Sequence, residues 1–263
     1  MSVANKFILI APSTRGISLA LTRHLLYKTQ LPLFATYRKG TAEEAKEHIL
    51  SSPLLKTHKV DHGRLQMLRM DLLNEQSIER AAKDLKQAAG PNASIETAFF
   101  TGGVLHPEKQ PADLILDDIT ETFQINVVSH LLLIKHFSKF LPGRIGTTKG
   151  DIARWVHISA RVGSVSDNTR GGWYSYRASK AALNQVIKTF DLHLQMKQSP
   201  TICVGVHPGT VRTELSREFW DSPSVGRLFE PEEAAEKIVE VIQNMDATKR
   251  GRVWDWKGEE VLP

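Results

Sequence analysis

Tyr176-Arg-Ala-Ser-Lys180 sets a phenol and an amine four residues apart. On a helix, positions i and i+4 share a face, so the Lys180 ammonium can lie beside the Tyr176 hydroxyl. A free phenol has a pKa of about 10, too high for efficient acid–base work near neutrality. A neighbouring cation favours the phenolate, and each unit of lowering corresponds to about 1.4 kcal/mol. The chemistry such a pair suits is proton transfer to or from a carbonyl or alcohol oxygen, worth about 10²- to 10⁴-fold in rate. A Tyr four residues before a Lys is common by chance, so the pair means little until the elements around it are read.

Those elements alternate along the chain. Short apolar runs at 7–11, 33–37, 64–70, 95–101, 154–159, 201–207 and 252–256 have strand length. Helix-length segments at 17–29, 42–50, 75–89, about 114–140, about 174–197 and 231–244 lie between them. This alternation predicts one α/β domain over residues 1–263, a doubly wound parallel sheet of about seven strands with helices on both faces. Strands this uniformly apolar fit a sheet buried on both sides. Ligands of such sheets sit at the carboxyl ends of the strands. Two loops stand out, 142–151 and 209–230; the second leaves the sixth strand at that edge and can cover a substrate.

The bulk numbers narrow the function. The chain has 263 residues, 41% hydrophobic and 24% charged, which is globular composition. Its net charge of +5 comes from basic residues spread along the chain, with no run that would make a nucleic-acid arm. A mild positive field suits an anionic cofactor. No segment has the length and apolarity of a membrane span or a signal peptide, so the expectation is a cytoplasmic protein. The single cysteine, Cys203, sits in an apolar strand run and reads as a packed, inert thiol. The ten histidines show no metal spacing; His58 and His62 lie four apart in a loop without an acid partner, so no metal is expected.

With Tyr176 and Lys180 in place, the sequence resembles the short-chain dehydrogenase/reductase family over nearly its whole length. The stretch Ile158-Ser-Ala-Arg-Val-Gly-Ser164, continuing to Gly171-Gly-Trp-Tyr-Ser-Tyr-Arg-Ala-Ser-Lys-Ala-Ala-Leu-Asn184, is similar to the C-factor-like or sniffer-like carbonyl reductases. The resemblance implies a Rossmann-type sheet, a nicotinamide cofactor and a Ser–Tyr–Lys centre supported by an Asn. It assigns that Asn to Asn126, which helps hold a water linked to the Lys. It sets Asp71 against the adenine ring, and the first turn with Arg15, Gly16 and Ile17 against the pyrophosphate. It sets Val211 and Thr213, in Pro208-Gly-Thr-Val-Arg-Thr213, at the nicotinamide end, where Tyr176 and Lys180 also meet the cofactor. Family members are dimers, tetramers or, in this branch, monomers, which leaves a homo-oligomer open.

Cofactor choice follows from charge. Sites selective for NAD carry an acid near the end of the second strand. Here that region reads Phe34-Ala-Thr-Tyr-Arg-Lys39, without an acid. Arg38, with Arg15, can pair a 2′-phosphate, which points to NADP(H).

Three departures mark the chain. The glycine-rich first turn reads Ala11-Pro-Ser-Thr-Arg-Gly-Ile-Ser18, keeping only Gly16, with Pro12 and Ser18 in place of glycines. The family's Asn-Ala-Gly reads Thr101-Gly-Gly103. The family's Ser-Ser-x-x-Gly reads Ser159-Ala-Arg-Val-Gly163, so Ala160 stands where a serine polarises the substrate oxygen. Ser159, re-aimed by a turn at the strand end, is the first candidate to replace it; Ser164 is the second, and a site with neither hydroxyl is the third. The expected reaction is hydride transfer between NADP(H) and a small ketone, aldehyde or matching alcohol. Tyr176, Lys180, Asn126 and Ser159 are its catalytic residues, and Trp173, Phe219 and Trp220 are candidates to line the substrate pocket. The rival is a binding or signalling protein on the same scaffold, motivated by Pro12 and Ala160.

Overall fold

The computed structural model describes residues 6–143, 152–222 and 226–263. Eight strands form the main sheet: β1 (Lys6–Ala11), β2 (Leu33–Tyr37), β3 (Leu65–Arg69), β4 (Ser94–Phe100), β5 (Ala153–Ile158), β6 (Thr201–His207), β9 (Val253–Asp255) and β10 (Glu260–Val261). Their spatial order is β10-β9-β6-β5-β4-β1-β2-β3. All neighbours run parallel except β9 and β10. Two short strands, β7 (Thr210–Val211) and β8 (Leu228–Phe229), pair separately within the 209–230 loop.

The period-two geometry of a strand sorts β1 between two cores. Phe7, Leu9 and Ala11 join one cluster, packed under α4 (Glu75–Ala89), α6 (Ser129–Phe137) and α7 (Tyr174–Met196). Ile8 and Ile10 join the other, packed under α1 (Gly16–Lys28), α2 (Ala42–Leu50), α3 (Pro53–Thr57) and α8 (Pro231–Gln243). The sheet is thus buried on both faces, as its apolar strands require. Strand order reverses between β1 and β4, so the crevice for a ligand opens at their carboxyl ends.

The structure differs from the sequence expectation in two places. The sheet has an eighth strand because β10 closes it by an antiparallel pair; two residues are too few to show a periodicity. The helix expected near 114–140 is α5 (Leu116–Phe123), then a π-helical turn (Gln124–Val128), then α6. Such turns occur as single widened turns with i→i+5 bonds inside longer helices. Residues 144–151 of the first notable loop and 223–225 of the second lie outside the described residues. Among the described residues, no helix is long and apolar enough to cross a membrane.

Candidate active site

A cleft of about 760 Å³ opens at the carboxyl edge of the sheet, and its wall includes Ser159, Ala160, Tyr176 and Lys180. Tyr176 and Lys180 lie one turn apart on α7, both buried. The Lys180 ammonium donates to the carbonyl of Ile158 at 2.9 Å, at the end of β5, and sits 5.7 Å from the Tyr176 ring centre. The turn after β5 presses against the same helix. A Cβ on Gly163 would come within 2.8 Å of Lys180, so only glycine fits there.

The electrostatics correct one expectation. Burial raises the Tyr176 phenol above its ordinary value instead of the ammonium lowering it. Burial also lowers the Lys180 amine to about 8. Desolvation disfavours both charged forms. The phenol therefore keeps its proton throughout the neutral range, ready to donate it.

Asn126, on the π-helical turn, is fully buried and its amide braces the site. Its Oδ1 accepts from Val104 N at 2.9 Å, and its Nδ2 donates to Val104 O at 2.9 Å and Ser179 Oγ at 3.0 Å. The segment after β4 is thereby tied to α7. Gly103 lies at the junction: a Cβ there would sit 3.6 Å from both Asn126 Oδ1 and Lys180 Nζ.

Neither serine candidate presents a proton to this cleft. Ser159 Oγ donates to Asn184 Oδ1 at 2.6 Å, turned toward the second helical turn beyond Tyr176. Ser164 Oγ is held in its own turn, 3.2 Å from Ser166 Oγ and accepting from Asp167 N at 3.1 Å. Sequence alone leaves the choice open because the hydroxyl's partner, Asn184, lies far along the chain.

Two rings of the expected substrate wall are in place. Trp173 and Phe219 line the cleft with ring centres 4.7 Å apart, and Trp173 stands edge-on to Tyr176 at 6.2 Å. Trp220 is not in that wall; its indole donates to Ser216 Oγ at 3.0 Å and Arg212 stacks on it at 4.9 Å. Glu108 is a wall residue that sequence analysis missed. It is 3% exposed and caps α7 from outside, since Trp173, the helix's own N-cap residue, makes no side-chain cap. Its carboxylate accepts from Ser175 N at 3.2 Å and from the Ser175 hydroxyl, and its carbonyl accepts from Trp173 N at 2.6 Å. No pattern in its loop announces this role.

At the other end of the cleft, Ile17, Val211 and Thr213 contribute to the wall. Gly16 begins α1 with φ +52°, a conformation that favours glycine, and a Cβ there would lie 3.3 Å from Thr213. The first turn and the Pro-Gly loop thus meet. The first turn of α1 holds no acid and its N-cap residue, Arg15, makes no side-chain cap, so its N–H groups remain available to an anion. Arg15 and Arg38 are exposed. Arg38 follows β2 and Asp71 follows β3, so both stand at neighbouring strand ends, outside the cleft wall proper. Asp71 Oδ1 accepts from Leu73 N at 3.1 Å. His207, at the end of β6, adds an orphan: its Nδ1 is buried without a hydrogen-bond partner among the described residues, in a side chain that lines the cleft. An open helix N-terminus, a glycine-lined floor and an unpaired polar atom fit a dinucleotide laid across the strand ends.

The departures in the first turn form one unit. Ser18 Oγ lies 2.6 Å from Thr101 Oγ1, which donates to Pro12 O at 3.2 Å. Residues that replace two glycines and an asparagine of the family pattern therefore brace one another across β1 and β4.

Comparison with known proteins agrees with this architecture. A family model described as short chain dehydrogenase matches residues 6–223. The 1-hydroxy-2-glutathionyl-2-methyl-3-butene dehydrogenase of Rhodococcus sp. is 30% identical over 183 residues, covering 70% of this chain and 74% of that protein. The carbonyl reductase Sniffer of D. melanogaster superposes with a TM-score of 0.79 at 25% identity, covering 99% of this chain and all, 100%, of the other. An NADPH-bound carbonyl reductase from chicken fatty liver gives a TM-score of 0.80 at 24% identity, covering 99% and 100%. The tyrosine and lysine on one helical turn, the crevice at the strand reversal and the matched length lead to the same place: the chain belongs to the short-chain dehydrogenase family of oxidoreductases.

Proposed function

We propose that this protein is an NADP(H)-dependent carbonyl reductase, with Tyr176 as the acid that protonates the substrate oxygen. The observation that carries the reading is the buried Tyr176 phenol beside Lys180 in the wall of the cleft. NADPH held in this cleft would supply the hydride that adds to the carbonyl carbon and would be oxidised to NADP⁺. As the carbonyl π pair withdraws to oxygen, the Tyr176 phenol transfers its proton there, giving the alcohol. Lys180 stabilises the resulting phenolate, whose proton is restored from solvent; alcohol oxidation is the same path reversed. Asn126 keeps Gly103 and Lys180 in register. Ile17, Val211 and Thr213 hold the nicotinamide end, the α1 N-terminus with Gly16 takes the pyrophosphate, and Asp71 lies toward the adenine.

The phosphate form of the cofactor is supported by charge. Arg38 and Arg15 stand exposed at the end of β2 and the start of α1, and neither the first turn of α1 nor residues 34–39 contain an acid. A ligand that binds only the folded form raises the melting temperature, by about 2.7 kcal/mol of stability at a hundred times its dissociation constant. NADPH is expected to raise the melting temperature more than NADH at equal concentration. An equal or larger shift with NADH contradicts the assignment.

A second reading, a binding protein without turnover, is favoured by the alanine at 160 and the proline at 12. It predicts a cofactor-induced shift with no NADPH oxidation across a panel of ketones and aldehydes.

A further inference from the structure

Resting on the reductase reading, we propose that this site is selective for carbonyl groups activated by a neighbouring carbonyl, that is, vicinal dicarbonyl compounds. The reason is a missing donor. The substrate oxygen must accept a proton from Tyr176 while negative charge builds on it. A second hydroxyl beside Tyr176 would share that charge, and position 160 is where it would stand. Ala160 offers a methyl group to the cleft, 7% exposed. Ser159 has one hydroxyl proton, and it is directed to Asn184 Oδ1 at 2.6 Å. Ser164 is outside the cleft wall, bonded within the 164–167 turn.

Without a hydroxyl at position 160, the barrier depends more on the substrate itself. In a vicinal dicarbonyl the second C=O withdraws electron density, so the reacting carbon is more electrophilic and the charge on its oxygen is partly dispersed. An isolated ketone has no such help and relies on preorganised donors. Loss of a single donor of this kind costs about 10²- to 10³-fold in kcat elsewhere. The reaction balances as one carbonyl of the pair, NADPH and one proton giving the hydroxyketone and NADP⁺. The rings of Trp173 and Phe219 beside Tyr176 suit an aromatic substituent on the substrate.

The site can accept the missing hydroxyl. Ala160 has extended backbone, φ −147° and ψ 145°, which serine adopts freely, and it lies in the cleft wall. Ala160→Ser is therefore expected to fold and melt like the parent. The test compares kcat/KM for benzil and deoxybenzoin, a diketone and a monoketone of the same skeleton, with NADPH. The wild type is expected to prefer benzil strongly, and Ala160→Ser to reduce that preference at least tenfold by raising the deoxybenzoin rate. A binding measurement supplies the readout apart from turnover: trifluoroethanol, whose acidic hydroxyl gives an alkoxide that accepts from nearby donors, should bind the NADP⁺-loaded variant several-fold tighter than the NADP⁺-loaded wild type. Ser159→Ala is expected to leave the benzil-to-deoxybenzoin ratio unchanged. An unchanged ratio in Ala160→Ser, or a ratio that shifts in Ser159→Ala, overturns the proposal while turnover itself upholds the reductase. No NADPH oxidation with benzil, deoxybenzoin or simple aldehydes overturns both.

Discussion

At the scale of single residues, the site turns on Tyr176 and Lys180, buried one turn apart on α7. Spacing on a helix predicts that Tyr176 and Lys180 meet. Burial, which no spacing reveals, decides that the phenol rises and the amine falls to about 8. The two shifts make a pH prediction. Lys180 is charged in the fold below about pH 8 and loses its proton above it. In the unfolded chain it stays charged to about pH 10.4. Between those values the folded state binds fewer protons, so this buried amine's cost to stability, full below pH 8, is relieved as pH rises. Activity runs the other way. If the ammonium stabilises the phenolate formed on proton transfer, kcat for carbonyl reduction falls as pH rises through about 8. Lys180→Arg, whose charge persists, should move that fall to higher pH even if the maximal rate is lower. A wild-type profile flat from pH 7 to 10 argues against the role given to Lys180.

The serine question shows the limit of reading residues alone. Ser159 is adjacent to the family position and has the right chemistry. Its proton goes instead to Asn184, one of three α7 residues spaced by four from Tyr176. The helix spacing that brings Tyr176 and Lys180 together also supplies the acceptor that occupies Ser159.

At the scale of elements, most of the framework was legible because it follows from burial. The segments 42–50 and 75–89 coincide with α2 and α4, whose polar and apolar positions alternate at helical spacing. The π-helical turn between α5 and α6 was not legible, since it lies inside a segment that reads as one helix. The departures in the first turn were visible as residues but not as partners. Sequence sets Pro12, Ser18 and Thr101 down as three separate exceptions, whereas hydrogen bonds of 2.6 and 3.2 Å link them. A linked set should behave as a unit. Ser18→Ala and Thr101→Val are each expected to cost about 1 kcal/mol of stability in urea unfolding. The double variant should cost less than the sum of the two by about 0.5–1 kcal/mol, because both singles remove the same contact. Strict additivity would mean that the two hydroxyls do not share a bond. Glu108 teaches the same lesson for α7: a cap supplied from 67 residues away leaves no local signature.

At the scale of the whole molecule, the order of strands and the site at their reversal follow from apolar runs, helix lengths and the handedness of parallel crossovers. The buried histidines add a feature that composition could not suggest. His157 Nε2 accepts from the Trp155 indole at 2.9 Å, its Nδ1 lies 2.7 Å from His130 Nδ1, and His130 Nε2 lies 3.1 Å from Gly102 O. For neutral rings, only one tautomer of each satisfies every contact, with the proton on His157 Nδ1 and His130 Nε2. Burial lowers both, His130 to about 3, so the chain is uncharged where it reaches the floor of the cleft beside Gly103. Lys180 then supplies the positive charge beside the Tyr176 ring.

The most direct test of that arrangement is NADPH consumption with a vicinal diketone by wild type and Tyr176→Phe, alongside the NADPH dissociation constant of each. The ring is kept and only the hydroxyl is lost, so the fold and cofactor affinity should change little. The account predicts a fall in kcat of about 10²-fold or more with a dissociation constant within a few-fold of wild type. A variant that reduces the diketone at the wild-type rate would show that the proton comes from another group and that the role assigned to Tyr176 is wrong.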